Sequence, residues 1–181
     1  MSTKYFTGRG DDGTTGILSN KRVRKDDALI EAIGNLDELN SVVGVALGQI
    51  KDETVRSRLM DIQNTLFVLG ANLASTNEKK MHKAQIKDEA KAGLEAGIGE
   101  LSKKIPELKQ FVLPGGTSGS SQLHQARAVA RRCERSAVAA SKHYKVDAEV
   151  IAYLNRLSSY LFVAALYLNH MNGTAERHPT Y

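Results

Sequence analysis

The run LHQARAVARRCERS, residues 123–136, places His124, Arg127, Arg131, Glu134 and Arg135 at spacings of three, four, three and one. At about 100° per residue these side chains fall along one broad strip of a helix. A strip meant only for solvent would ordinarily mix lysine with glutamate, whereas this one is nearly all arginine, whose planar fork suits phosphate or carboxylate. A second polar feature, TGRGDDGTTG at 7–16, carries four glycines and three threonines. Glycines let the backbone approach a ligand closely, and threonines supply hydroxyls, so the stretch reads as a phosphate cradle or as a frayed N-terminal segment. It has no preceding strand and no following GK[ST], and so fits neither of the common nucleotide-binding loops. FVLPGGTSGSS at 111–121 forces a turn before a helix start, which could hold an anion or simply cap the helix. In LNRLSSYLF, Asn155 and Ser159 lie one turn apart on an apolar segment. Asn155 is then either a satisfied core amide or a ligand contact.

The elements that must position these groups are helical. Leu29, Ile33, Leu36, Leu39, Val43, Ala46 and Ile50 recur every three or four residues, and Val55, Leu59, Ile62, Leu66, Leu69 and Leu73 repeat the pattern. A weaker stripe through Leu94, Ile98 and Leu101 is diluted by Gly93, Gly97 and Gly99 and closed by Pro106. The periodicity predicts an all-α bundle of five helices over roughly 26–50, 52–74, 86–105, 118–144 and 147–171, with no convincing strand. One domain over 1–181, without internal repeats, is the expectation for this length.

Composition excludes several classes. Hydrophobic residues at 41% and charged residues at 25% match a globular chain and not a disordered one. One cysteine, Cys133, rules out a disulfide framework or a thiolate zinc cluster. No apolar run reads as a membrane span and MSTKYFTGRG lacks a signal-peptide core, so a cytoplasmic protein is expected. The net charge of +5 suits either nucleic acid or a bound polyphosphate. Glu134 among the arginines and the scarcity of aromatics argue against nucleic acid. No nucleophile and histidine are spaced for covalent catalysis, which points to binding and charge stabilisation.

Taken in register, T-x-x-G-D-x-G at 7–13, KDD at 25–27, GNLDELNS at 34–41, FVLPGG at 111–116, LHQAR with RRCER at 123–135, and LNRLS at 154–158 resemble the PduO-type ATP:cob(I)alamin adenosyltransferases over roughly residues 4–170. The resemblance implies a five-helix bundle with an N-terminal glycine-rich ATP loop, assembled as a homotrimer with active sites between subunits. It implies transfer of the 5′-deoxyadenosyl group of ATP to the cobalt of cob(I)alamin, with Mg²⁺ as cofactor and triphosphate as the leaving group. By position, Thr7, Gly8, Arg9, Gly10, Thr15, Gly16 and Lys25 would bind ATP from one subunit, and Arg131, Glu134, Arg135 and Asn155 from the other. Arg131 and Lys25 would stabilise the leaving triphosphate. Phe111 would pack beneath the corrin ring, keeping the lower axial ligand away, with Asn155 and Ser159 nearby. Asp37 and Arg127 match a salt bridge between subunits.

The same resemblance implies no nucleic-acid or membrane partner, and suggests a cob(II)alamin reductase and an adenosylcobalamin-dependent enzyme as functional partners. Three positions depart from it. Ser159 stands where an aspartate is expected, Asn35 where an acid or threonine is frequent, and Leu166 where an arginine is common. A missing carboxylate at 159 bears on corrinoid binding more than on ATP binding. The alternatives are a catalytically weakened nucleotide-binding paralogue and a basic nucleic-acid-binding bundle.

Overall fold

The computed structural model describes residues 5–18, 21–75 and 88–180. Five helices carry the fold: α1 (Ala28–Gln49), α2 (Glu53–Ala74), α3 (Asp88–Ser102), α4 (Ser118–Ala140) and α5 (Ala148–Met171). Four of them start on a side chain that takes up a free backbone N–H. Asp27 accepts from Leu29 N–H, Asp52 from Val55, Thr117 from Ser120 and Asp147 from Glu149. The helical register therefore begins one residue after each capping group, one or two residues inside the expected bounds for α1, α2 and α5 and at the expected Ser118 for α4. Residues 86–87, expected to open the third helix, lie outside the described residues. The other end of α3 stops at Ser102, because Pro106 cannot continue the hydrogen-bond ladder. The fourth helix ends at Ala140, and Lys142, His143 and Tyr144 close it with turn bonds to Ala139 and Ala140.

Cross-helix bonds fix the directions. Tyr144 Oη donates to Asp27 Oδ2 at one end of the α1–α4 pair, and Ser118 Oγ lies 3.2 Å from Gln49 Oε1 at the other, so these helices are antiparallel. Asn40 and Gln63 exchange side-chain bonds with each other's carbonyls, making α1 and α2 antiparallel. Lys91–Glu149 at 2.7 Å and Glu95–Arg156 at 3.0 Å set α3 parallel to α5. Helices α1, α3 and α5 thus run one way, and α2 and α4 the other.

The core lies along α5, where Tyr153 and Tyr160 are the largest fully buried side chains. The glycines that weaken the α3 stripe have a packing purpose. A Cβ at Gly93 would stand 2.7 Å from an Arg58 guanidinium nitrogen, and one at Gly97 would stand 3.0 Å from the Tyr160 ring. Both residues let α3 close onto its neighbours.

Two sequence expectations need correction. A small antiparallel sheet is present, with β1 (Thr14–Gly16) paired to β2 (Arg22–Arg24) in the register Thr15↔Val23. Three-residue strands carry too little alternation to signal themselves. By length and apolar composition α5 does reach the dimensions of a membrane span, but most of that apolar stretch is buried inside the bundle. Cys133 faces this core, and burial pushes its thiol up to about 12. We expect the folded protein to resist iodoacetamide at pH 8 and the urea-unfolded chain to react readily, as mass spectrometry would show.

Candidate active site

The N-terminal segment is a compact series of turns organised by Arg22. Asp11 N–H donates to the Gly8 carbonyl at 3.2 Å and Gly13 N–H to Gly10 at 3.3 Å, with Gly8 and Gly13 at φ of 69° and 78°. Residues with a Cβ rarely take that conformation. Arg22 Nε donates to Thr14 Oγ1 at 2.9 Å, and its guanidinium also reaches the Arg9 carbonyl and the Asp12 carboxylate. Hydrogen bonds from Thr14 hold the Asp12 carboxyl below the usual carboxylate range. Lys25 N–H donates to the Gly13 carbonyl at 2.9 Å, and its ammonium lies over Gly10, where an added Cβ would meet Nζ at 3.3 Å. Thr7, Gly8 and Arg9 are exposed, and Thr15 and Gly16 sit on β1 beside them. The result is a tight, exposed, glycine-rich series of turns with the Arg9 and Lys25 cations beside it, chemistry that suits a polyphosphate.

The other half of the expected site lies on α4 and α5. Asn155 Nδ2 donates to Glu134 Oε1 at 3.1 Å, and Arg135 donates to the Arg131 carbonyl at 3.0 Å. Asn155 is exposed, so it is no core amide; its partner is the carboxylate of the arginine strip. One turn further, a cavity of about 770 Å³ gathers Phe111, Arg127, Arg131, Ser159 and Phe162. Phe111 is 79% exposed and so takes no part in the core. The backbone that carries this exposed ring is fastened on both sides: the Phe111 carbonyl lies 2.8 Å from His178 Nδ1, and Leu113 N–H donates to the Arg177 carbonyl at 2.7 Å.

The arginine strip is not uniform. His124 is buried at 3% exposure against the edge of Phe162, at 6.0 Å between ring centroids, and neither of its ring nitrogens has a hydrogen-bond partner among the described residues. Burial first, and the Arg127 cation second, push its pKa below the usual imidazole value, so the neutral ring packs there. Arg127 stacks over Phe162 at 5.7 Å, with its Nε buried and without a hydrogen-bond partner among the described residues. Towards Arg131 and Arg135 the strip becomes exposed.

Among the described residues, no hydrogen bond or ion pair joins Thr7–Gly16 or Lys25 to Arg131, Glu134, Arg135 or Asn155 within the chain. The antiparallel register explains this. Asp27 meets Tyr144 beyond the end of α4, and Arg131 lies nine residues before Ala140, about 14 Å back along the helix axis. Asp37 is likewise exposed on α1, without an ion pair among the described residues, and is not joined to Arg127.

Sequence reasoning missed the residue that shapes the Phe111 loop. Asn169, 1% exposed, accepts from Thr117 N–H and donates to the Gly115 carbonyl and to Glu176 Oε1, each at 3.0 Å. The signal that singles out Asn155, an amide in an apolar helix, holds equally for Asn169. Of the departing positions, Asn35 is buried and donates to Glu31 at 3.1 Å, Leu166 is buried, and Ser159 is exposed at the cavity.

Residues 5–168 match the family model described as cobalamin adenosyltransferase. The chain belongs to that family. The corrinoid adenosyltransferase of Bacillus subtilis (strain 168) is 40% identical over 177 residues, covering 96% of this chain and 90% of its own. The corrinoid adenosyltransferase MMAB of Homo sapiens is 38% identical over 180 residues, covering 96% of this chain and 72% of its own. A variant PduO-type ATP:corrinoid adenosyltransferase from Lactobacillus reuteri, solved in complex with cobalamin and ATP, superposes with a TM-score of 0.94 at 33% identity, over 98% of this chain and 100% of that one. The all-α adenosyltransferase fold expected from the sequence is therefore the observed one, with the short hairpin added.

Proposed function

We propose that this adenosyltransferase-family chain transfers the 5′-deoxyadenosyl group of ATP to the cobalt of cob(I)alamin, releasing triphosphate. The cavity that brings Phe111, Arg127, Arg131 and Ser159 together beside the Glu134–Asn155 pair carries this reading. The cobalt–carbon bond forms as the bond from the 5′-carbon to the triphosphate oxygen breaks, and the electron pair of the second bond leaves on the triphosphate. Because the cobalt nucleophile arrives as substrate, the protein's task is placement and charge. Lys25, Arg131 and the donors of Thr7–Gly16 bind the phosphates, and the Phe111 ring excludes a lower ligand from the corrin face. Incubation with ATP, magnesium and chemically reduced cobalamin should yield the light-sensitive spectrum of an alkylcobalamin; absence of that product under anaerobic conditions would falsify the reading.

A single domain, a magnesium ion, a homotrimer and a cytoplasmic setting are parts of the same proposal. No group of three or more His, Cys, Asp or Glu side chains converges on a metal site among the described residues. Such a chain suits an ion carried mainly by phosphates and water, as magnesium usually is. It would be held against the Thr7–Gly16 loop and would neutralise charge on the triphosphate.

The trimer is supported by the separation of the two half-sites, by Asp37, which has no ion pair among the described residues, and by Arg127, which stacks on Phe162 but has no carboxylate partner among them; a neighbouring subunit would match the two. Asp37→Asn should then disturb assembly more than Asp61→Asn, since it strands the partner guanidinium at the interface, at a cost of about 3–5 kcal/mol for a buried pair. Light scattering on both variants, and on Asp37→Arg with Arg127→Asp, checks this. A monomeric native chain would sink the shared-site model.

Ser159 sits at the cavity and can hydrogen-bond but cannot anchor a cation. We expect Ser159→Asp to tighten corrinoid binding or raise turnover with little change in ATP affinity, which separate calorimetric titrations would resolve. Loss of both corrinoid binding and activity would mean the pocket is built around the hydroxyl.

A further inference from the structure

His124 and Arg127 stand one turn apart on α4 and lie against the same ring. The His124 centroid is 6.0 Å from that of Phe162, and the Arg127 guanidinium carbon is 5.7 Å from it. Both ring nitrogens of His124 and Nε of Arg127 are buried without a hydrogen-bond partner among the described residues. Polar atoms left so are destabilising, and a phenylalanine would fill the place of His124 without that loss. The neighbouring helices offer it no ionised partner. The register of α1 on α4, set by Glu38–Arg132 and Gln49–Ser118, brings residues 43–47 past this level, none of them ionisable. On α5 no Asp, Glu, Lys, Arg or His lies between Arg156 and His170. The charged group that faces the imidazole is Arg127 itself, and Arg131 and Lys109 are the other cations of the adjoining cavity.

We propose that His124 is a positioning residue for Arg127: in the assembled enzyme its neutral ring accepts a hydrogen bond from Arg127 Nε and turns the terminal guanidinium nitrogens towards Asp37 of the neighbouring subunit. The inference deepens the adenosyltransferase reading and rests on it. One such bond satisfies an acceptor and a donor that are both buried and idle in the single chain. Because both side chains already share the Phe162 ring, a change of rotamer brings them together without moving the helix. With Nε held from within, the two terminal nitrogens remain as a fork, which a carboxylate accepts in parallel. Arg127 also lines the cavity with Phe111 and Arg131, so its placement sets the shape of that wall. A protonated ring cannot serve, since both its nitrogens are donors and a second cation would stand beside the guanidinium. Burial and Arg127 push the imidazole below its usual pKa, which keeps it neutral at about pH 7 and makes acid the condition that undoes the arrangement.

The test compares the native chain with His124→Phe, which keeps a ring but no acceptor, and His124→Gln, which keeps an acceptor that does not titrate. At about pH 8, His124→Phe should lower kcat/KM for cob(I)alamin by about tenfold or more, and His124→Gln should recover most of that loss. The KM for ATP should change by less than about twofold, because Arg131 and the N-terminal loop hold the phosphates. Between about pH 8 and about pH 5.5 the native value should fall, and that of His124→Gln should fall less. An equal acid decline in both, or no loss in His124→Phe, would overturn the proposal. A double-mutant cycle isolates the pair. Arg127→Lys keeps the charge but has no Nε, so adding His124→Phe to it should lower kcat/KM by less than about twofold, and fully multiplying losses would sink the idea. NMR with ¹⁵N-labelled histidine and arginine reads the bond itself in the native assembly, where one neutral tautomer coupled through the hydrogen bond to Arg127 Nε is expected. This measurement needs neither turnover nor a folded His124→Phe. A native chain that adenosylates no corrinoid defeats the adenosyltransferase reading and this inference with it, whereas an active chain without that coupling defeats the role of His124 alone.

Discussion

Arg131→Ala lowers kcat/KM for adenosylation by about 10²- to 10³-fold, the usual scale for a lost charge donor at a developing anion, and leaves helix content and assembly unchanged. The expectation follows from what Arg131 does in the free chain. It is exposed at the rim of the cavity, and among the described residues its side chain has no hydrogen bond or ion pair, while its backbone carbonyl accepts from Arg135. Its neighbour Arg132 is committed to Glu38 on α1, and Arg127 to the face of Phe162. A guanidinium with no structural partner costs little stability to remove, so a loss of rate can be assigned to the reaction. Arg131→Lys keeps the charge but loses the planar fork, and should fall between the native chain and the alanine variant. Steady-state rates with ATP and corrinoid varied separately, together with circular dichroism and light scattering, check the prediction. Near-normal turnover in Arg131→Ala would remove this residue from the site.

The helices were legible because a buried stripe must repeat every three or four residues, and every stripe read from Leu29 to Leu73 faces the core. Asp27, Asp52, Thr117 and Asp147 then set the starts by capping. What stayed hidden rests on contacts that have no period. The hairpin depends on Arg22 reaching back to Arg9, Asp12 and Thr14, a bond pattern across up to thirteen residues of polar chain. His124 looked like one more member of the polar strip, since angular position on a helix does not reveal that Phe162 of the next helix covers it. The residues of the site were found as motifs, yet their division into two separated groups became visible only with the antiparallel packing of α1 on α4. Asn169 is the instructive omission. An amide in an apolar helix has to be satisfied, and which of the two asparagines of α5 performs a structural task depends on what lies opposite: Glu134 for Asn155, and the turn of Gly115 to Thr117 for Asn169.

Gly116→Ala should destabilise the protein by about 2–5 kcal/mol and displace the Phe111 loop, through two effects that act at one atom. Gly116 has φ of 109°, a conformation whose cost for a residue with a Cβ is about 1–3 kcal/mol. The added Cβ would also stand 2.1 Å from Asn169 Oδ1, so the amide must move. Moving it breaks the bonds to Thr117 N–H, the Gly115 carbonyl and Glu176 together, and leaves buried polar groups unsatisfied at about 1–3 kcal/mol. For a chain of this size the midpoint of thermal unfolding should fall by the order of 10 °C. Gly99→Ala is the control, because α3 is open at that position and a helical alanine is neutral or stabilising by up to about 1 kcal/mol. Asn169→Ala separates the two effects: it removes the same bonds without the clash, and the double variant Gly116→Ala with Asn169→Ala should be less destabilised than the two single changes added together. Strict additivity would mean that Gly116 and Asn169 do not act on each other, and that the loop presenting Phe111 is held by something other than this amide.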